Sequence, residues 1–160
     1  MIAEYQKLLS QAQQEIKSIK KVLTRLRKMR KGDVDKKVHH LHQEAFAKID
    51  CLDCANCCKT TGPLFTQKDI NSIAGNLGLM SSAFIKKYLR MDEDNDYVLQ
   101  TVPCPFLGND NYCTIYEFRP KACQEYPHTD RVNQLGILKL TEKNVSICPA
   151  VADIFLHLTK

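Results

Sequence analysis

Residues 51–58 read Cys51-Leu52-Asp53-Cys54-Ala55-Asn56-Cys57-Cys58, and the use of these thiols decides what fold the rest of the chain must build. A CxxC step sets two sulfurs on one tight turn, within reach of a single ion about 2.3 Å from each. Two overlapping steps give three sulfurs in one loop. The vicinal pair Cys57 and Cys58 adds a constraint, because adjacent side chains point to different sides of the chain and rarely share one mononuclear ion. One of the two is therefore expected to serve a second site, a second metal of a polynuclear centre, or redox exchange.

Four further cysteines follow: Cys104 after 45 residues, Cys113 after 8, Cys123 after 9 and Cys148 after 24. Three closely spaced cysteines completed by a distant one followed by proline is how bacterial-type ferredoxins grip a cubane cluster. Cys104-Pro105 and Cys148-Pro149 both fit that last position. Zinc needs four ligands in a tetrahedron, and eight thiolates satisfy two such sites with none left over. Spacing alone leaves both metals open. All eight cysteines are metal-ligand candidates, for an iron–sulfur cluster of the 4Fe-4S type or for Zn²⁺.

Eight cysteines in 160 residues is a high load for an intracellular chain, and the expected compartment decides how to read it. The opening Met1-Ile2-Ala3-Glu4-Tyr5-Gln6-Lys7 lacks a basic segment followed by an apolar one. No run approaches the ~18 apolar residues of a membrane span. A cytoplasmic location with no membrane partner is expected, and thiols there are kept reduced and serve metal or redox chemistry rather than a disulfide framework. With 44% apolar and 26% charged residues the chain is neither collagen-like nor wholly disordered.

Upstream of the cluster the pattern changes. Ile2, Tyr5, Leu9, Ala12, Ile16, Ile19, Leu23 and Leu26 recur at alternating steps of three and four, the stripe of a coiled-coil helix. Gly32 reads as a helix stop and Asp33 as an N-cap. Val34, Val38, Leu41, Ala45 and Ile49 then share one face of a second helix. An antiparallel helical hairpin over residues 1–47, followed by a metal-stapled domain over 48–160, is the expected organisation. The first 37 residues carry eleven Lys/Arg against four Asp/Glu. Eight of them form the run Lys17, Lys20, Lys21, Arg25, Arg27, Lys28, Arg30 and Lys31; with no aromatic residues interleaved in that run to stack on bases, nucleic acid is not expected, and a protein partner or a second copy of the hairpin is. His39 and His42 have the spacing to share a metal, but thiolates outcompete imidazole in such a setting. They are read as surface residues, with His40.

Downstream, Thr66 and Asp69 form a capping box for a short helix bearing Ile70, Ile73, Ala74 and Leu77 and closed by Gly78. Ser81 or Ser82 caps a helix over 83–89. Residues 97–102 and 136–141 read as short strands, and 149–158 as a last helix with Val151, Ile154, Phe155 and Leu158 on one face. Asp110-Asn111 is a turn that draws Cys104 and Cys113 together. Pro120 opens a short helix delivering Cys123, and Tyr126-Pro127 ends it. The fold expected is mostly helical with a few short strands, and loss of metal is expected to unfold the region 51–150 locally.

Taken together, Cys51 to Cys58, Cys104-Pro105-Phe106-Leu107 and Asn111-Tyr-Cys-Thr-Ile-Tyr-Glu-Phe-Arg-Pro-Lys-Ala-Cys123 resemble the CxxCxxCC cysteine-cluster (YkgJ-like) family of zinc- or iron-chelating proteins, over about residues 48–150. The resemblance implies ligand roles for Cys51, Cys54, Cys57, Cys58, Cys104, Cys113 and Cys123, with Cys148 similar to a late cysteine of many members. The family's Ile-Tyr-x-x-Arg-Pro falls on Ile115, Tyr116, Arg119 and Pro120. Arg119 and Tyr116 are thus expected beside the cofactor, Arg119 bonding either to ligating sulfurs or backbone carbonyls, or else to Glu117, Glu125 or Asp53. A related domain occurs in flagellin lysine methylases, which implies that an iron–sulfur-dependent group-transfer or redox enzyme is an alternative to pure chelation. A zinc-stapled scaffold that binds a partner through its basic hairpin is another. No GxGxxG, P-loop or CxxxCxxC of radical enzymes is present, and no catalytic residue is named.

Overall fold

Helix formation at the N-terminus follows the apolar stripe. In the computed structural model, which describes residues 1–160, the stripe forms α1 (Ala3–Gln14) and α2 (Ile16–Leu26), separated at Glu15, whose φ of −91° and ψ of 12° leave the helical region. The Glu15 carboxylate accepts from Gln11 Nε2 and from Thr159 Oγ1. Tyr5, Ala12, Ile19, Leu23 and Leu26 are buried as the stripe requires. They pack on α10 (Pro149–Thr159), which also takes α3 (Lys31–Phe46) and α9 (Leu138–Val145) against its sides. This surrounded position accounts for a helix apolar on nearly every face. Helix α3 starts two residues before the expected cap: Arg30 is the N-cap, Gly32 lies in the first turn, and Asp33 sits there as an acid near the positive end of the helix dipole.

The chain folds as two compact units, Met1–Cys54 with Pro127–Lys160, and Ala55–Tyr126. The first is the helical bundle just described, with the single turn α4 (Cys51–Cys54). The second holds α5 (Asn56–Thr60), β1 (Leu64–Phe65), α6 (Gln67–Asn76), α7 (Ser81–Tyr88), β2 (Leu89–Met91), β3 (Tyr97–Leu99) and α8 (Lys121–Glu125). Its three strands are antiparallel in the order β1-β3-β2, with Phe65 opposite Tyr97 and Leu89 opposite Leu99. Phe65, Ile70, Ile73, Phe84, Leu89, Leu99, Phe106 and Ile115 form its core, where Phe84 and Phe106 stack with centroids 6.2 Å apart. The capping box is present: Thr66 Oγ1 accepts from Asp69 N, and the Asp69 carboxylate accepts from Thr66 N. Gly78, at φ +67°, ends α6 in the left-handed conformation.

The molecule is thus mostly helical with one small sheet. One expected strand is not there. Residues 136–141 belong to a 3-10 turn (Gln134–Ile137) and to α9, because Leu138, Thr141 and Val145 are buried at helical intervals; a short apolar run does not by itself distinguish the two periods. The cis peptide bond lies at Val102-Pro103, while Tyr126-Pro127 is trans.

Candidate metal centre

In the second unit, α5 carries Cys58 into position and the backbone N–H of Cys104 donates to its carbonyl at 2.8 Å. From Cys104 the chain makes a tight hairpin: Leu107 and Cys113 pair as an antiparallel bridge, and Gly108 N donates to Tyr112 O at 2.8 Å. Asn111 turns the chain with φ +65°, and its side-chain oxygen accepts from Lys59 Nζ at 2.8 Å. Expected proximity of Cys104 and Cys113 is therefore realised through the Asp110-Asn111 turn. Helix α8, N-capped by Pro120, delivers Cys123. Lys121 N donates to Asp69 Oδ1, so the carboxylate that caps α6 also fixes α8.

Electrostatics show how closely the thiols gather. The Cys104 thiol is pushed up to about 11 by burial and by the charges of Cys58 and Cys113, while the N–H groups of Phe106 and Leu107 pull the other way. Burial likewise raises Cys113, opposed by the Ile115 N–H and Arg119. Cys123 reaches about 12 through burial and the charges of Cys58, Cys104 and Cys113. Every pair within Cys58, Cys104, Cys113 and Cys123 is thus in electrostatic contact. Cys58 moves the other way, to about 7, chiefly because the Cys57 thiol hydrogen-bonds to it, with help from Lys59; the two sulfurs are 4.0 Å apart. Lys59 was not singled out from sequence, although its place directly after Cys58 is a usable signal.

Arg119 takes the backbone-carbonyl role, donating from Nη1 to Tyr116 O at 2.6 Å. Its guanidinium lies 3.8 Å over the Tyr116 ring, and its charge favours the thiolate forms of Cys113 and Cys123.

The remaining three cysteines lie in the first unit. Cys51 and Cys54 occupy the single turn α4, and Cys148 precedes Pro149 at the start of α10. The continuous run 51–58 is thus divided, two cysteines to each unit. Burial raises Cys148 to about 12, with the N–H groups of Val151 and Ala150 opposing and the charges of Cys51 and Cys54 adding to the rise. The histidines have other work: His39 Nε2 bonds with Arg131 O, His42 Nδ1 with Thr129 Oγ1, and His40 faces Glu44 at 3.5 Å.

As the side chains stand, no group of three or more His, Cys, Asp or Glu residues is drawn together tightly enough to hold a single ion. The donor chemistry nonetheless suits a metal. Buried, mutually repelling thiols are disfavoured as thiolates, and a bound cation reverses that balance by supplying the missing positive charge.

Residues 50–149 match the model of a family described as "Putative zinc- or iron-chelating domain". An uncharacterized protein of Methanocaldococcus jannaschii is 35% identical over 96 residues, 57% of this chain and 50% of the relative. The chain therefore spans about half that relative's length. No solved structure matches the chain. No helix is long and apolar enough to cross a membrane.

Proposed function

The chain belongs to the CxxCxxCC family of metal-chelating domains, and from that premise we propose that its principal centre is an iron–sulfur cluster held by the thiolates of Cys58, Cys104, Cys113 and Cys123. The observation that carries this reading is the convergence of those four sulfurs, which the Cys104 N–H to Cys58 O hydrogen bond, the Leu107–Cys113 bridge and α8 bring to one end of the unit and which each feel the others' charge. A cubane takes four such thiolates, one to each iron. The cluster would supply electron transfer or a Lewis-acidic corner. The protein's part is to place the four sulfurs, to direct the N–H groups of Phe106, Leu107 and Ile115 at them, and to set Arg119 beside Cys113 and Cys123.

Cys57, bonded to Cys58, is assigned to holding that sulfur as a thiolate. Arg119 and Tyr116 are assigned to the surround of the centre. The basic segment within residues 1–47 is assigned to a protein partner: Lys17, Lys21, Arg27, Lys28, Arg30 and Lys31 are all exposed. A reducing, cytoplasmic location fits a centre built on thiolates.

The test is iron, acid-labile sulfide and zinc analysis, with an absorption spectrum, on protein purified without oxygen. Brown protein with about four iron and four sulfide per chain supports the cluster. Colourless protein with zinc alone overturns the cluster and makes the four-thiol set a zinc site.

A further inference from the structure

Residues 16–32 carry eight Lys or Arg and no Asp or Glu. Helix α2 turns Ile19, Val22, Leu23 and Leu26 to the core of the first unit. At about 3.6 residues per turn, Lys17 and Lys21 fall on the opposite face, with Lys28 in line just past the helix end. All three are exposed. Of the eight cations, the side chains of Lys20 and Arg25 alone make an ion pair or hydrogen bond: Lys20 Nζ lies 3.8 Å from Glu142 Oε1, and Arg25 Nη2 donates to Leu158 O at 2.9 Å. Like charges one turn apart oppose helix formation, so an anionic surface set against this face relieves a repulsion that water only screens.

The β2–β3 turn of the second unit has the opposite character. Asp92, Glu93, Asp94 and Asp96 put four carboxylates in five residues, the densest acidic run of the chain. Asp92 Oδ1 accepts from Asp94 N and from Asp96 N, each at 2.9 Å, and Asp92 N donates to Asp96 O at 3.0 Å. Asn95 reverses the chain at φ +64°. These bonds close the turn on itself and leave Glu93 and Asp94 exposed, with neither in an ion pair.

We propose that the basic face of α2 docks the acidic β2–β3 turn of a second copy of this chain, so that the protein self-associates. The proposal rests on the assignment of the basic segment to a protein partner and makes that partner specific. Charge complementarity carries it. Each copy supplies both surfaces, so a closed pair makes the contact twice. Single exposed ion pairs contribute little, whereas several charges on a rigid helix facing a closed turn act as a network. A contact of this kind forms fast, fixes its own register and weakens with salt. No aromatic residue stands in the run 17–31 to stack on bases, which favours an acidic protein surface over nucleic acid.

The test is sedimentation velocity of the full chain, kept reduced and free of oxygen, in ~0.1 M and ~1 M salt, between which the screening length falls from about 10 Å to about 3 Å. Two charge reversals accompany wild type. One combines Lys17→Glu, Lys21→Glu and Lys28→Glu; the other combines Glu93→Lys and Asp94→Lys and leaves Asp92 to shape the turn. Wild type is expected to associate with rising concentration at the lower salt and to come apart at the higher. Each variant alone should associate at least about tenfold more weakly, because like charges then face each other. An equimolar mixture of the two variants should recover the association, since each reversed surface meets an opposite one. If circular dichroism shows one variant unfolded, the salt dependence of wild type and the behaviour of the other variant decide the question. Association that survives the higher salt or either reversal overturns the proposal, and so does a mixture of folded variants that fails to recover. Wild type that stays monomeric at the lower salt also overturns it. Duplex DNA added to that monomer then separates the two readings: binding that is lost in the lysine variant overturns the protein-partner reading as well, and no binding leaves that reading standing.

Discussion

The backbone N–H of Cys104 donates to the carbonyl of Cys58 at 2.8 Å, so the two ends of a 45-residue excursion meet in one hydrogen bond. The excursion folds the sheet, α6 and α7 around Phe84 and returns the chain to the place where it left. The four sulfurs are therefore positioned by a packed core and by backbone hydrogen bonds as well as by whatever metal they hold.

In the proposed centre, Cys57 acts through Cys58, whose sulfur lies 4.0 Å from its own. Cys57→Ser is expected to retain the metal but to weaken its binding roughly 10- to 100-fold, the usual effect of losing a group that supports a ligand. A chelator competition against wild type measures this. Unchanged affinity would contradict the role given to the Cys57 thiol.

The charge of Arg119 favours the thiolates of Cys113 and Cys123. Arg119→Gln is expected to lower metal affinity by a comparable 10- to 100-fold and to shift the reduction potential of a cluster downward, since a positive charge favours the reduced form. Potentiometry of the variant checks the sign. Lysine in its place should restore the potential in part but not the stacking on Tyr116.

Thr66→Ala removes one half of the capping box and is expected to cost about 1 kcal/mol of stability. Asp69→Ala should be worse, because Asp69 also accepts from Lys121 N and so holds the helix that carries Cys123. Denaturant unfolding of the two variants, with metal content measured alongside, separates the cap from the second bond: only Asp69→Ala should reduce bound metal.

Asp35 gives the pH dependence of the first unit. Partial burial raises its pKa, but the N–H groups of Asn133 and Gln134, together with His39 and Lys31, outweigh this and hold it below the ordinary carboxylate value of 3.8. A carboxylate lowered on folding stabilises the fold above its unfolded pKa, and that contribution disappears as pH falls through the folded pKa. Melting temperatures of wild type and Asp35→Asn should therefore differ at pH 6 and converge as pH falls below the ordinary carboxylate value of 3.8 and through the lower folded pKa. A difference that persists in acid would place the effect of Asp35 in packing rather than charge.

What was legible in the sequence was local. The Thr66–Asp69 cap, the Asp110-Asn111 turn, the Pro120 start of α8 and the apolar α10 each depend on a few neighbouring residues, and each is present. The apolar stripe of residues 2–26 named Tyr5, Ala12, Ile19, Leu23 and Leu26 as buried, while Ile2 is exposed and Val22, outside the stripe, is buried; pattern alone does not say what buries them. The surface against them is α10, more than a hundred residues away. The strand expected at 136–141 failed because six residues do not distinguish a period of two from one of 3.6.

The central claim, that Cys58, Cys104, Cys113 and Cys123 hold one centre, is tested most directly by the metal content of Cys104→Ser beside wild type, both purified without oxygen and both shown to be folded by circular dichroism. The account predicts that iron and acid-labile sulfide fall together to background in the variant. Full retention of iron and sulfide by a folded Cys104→Ser chain would contradict it.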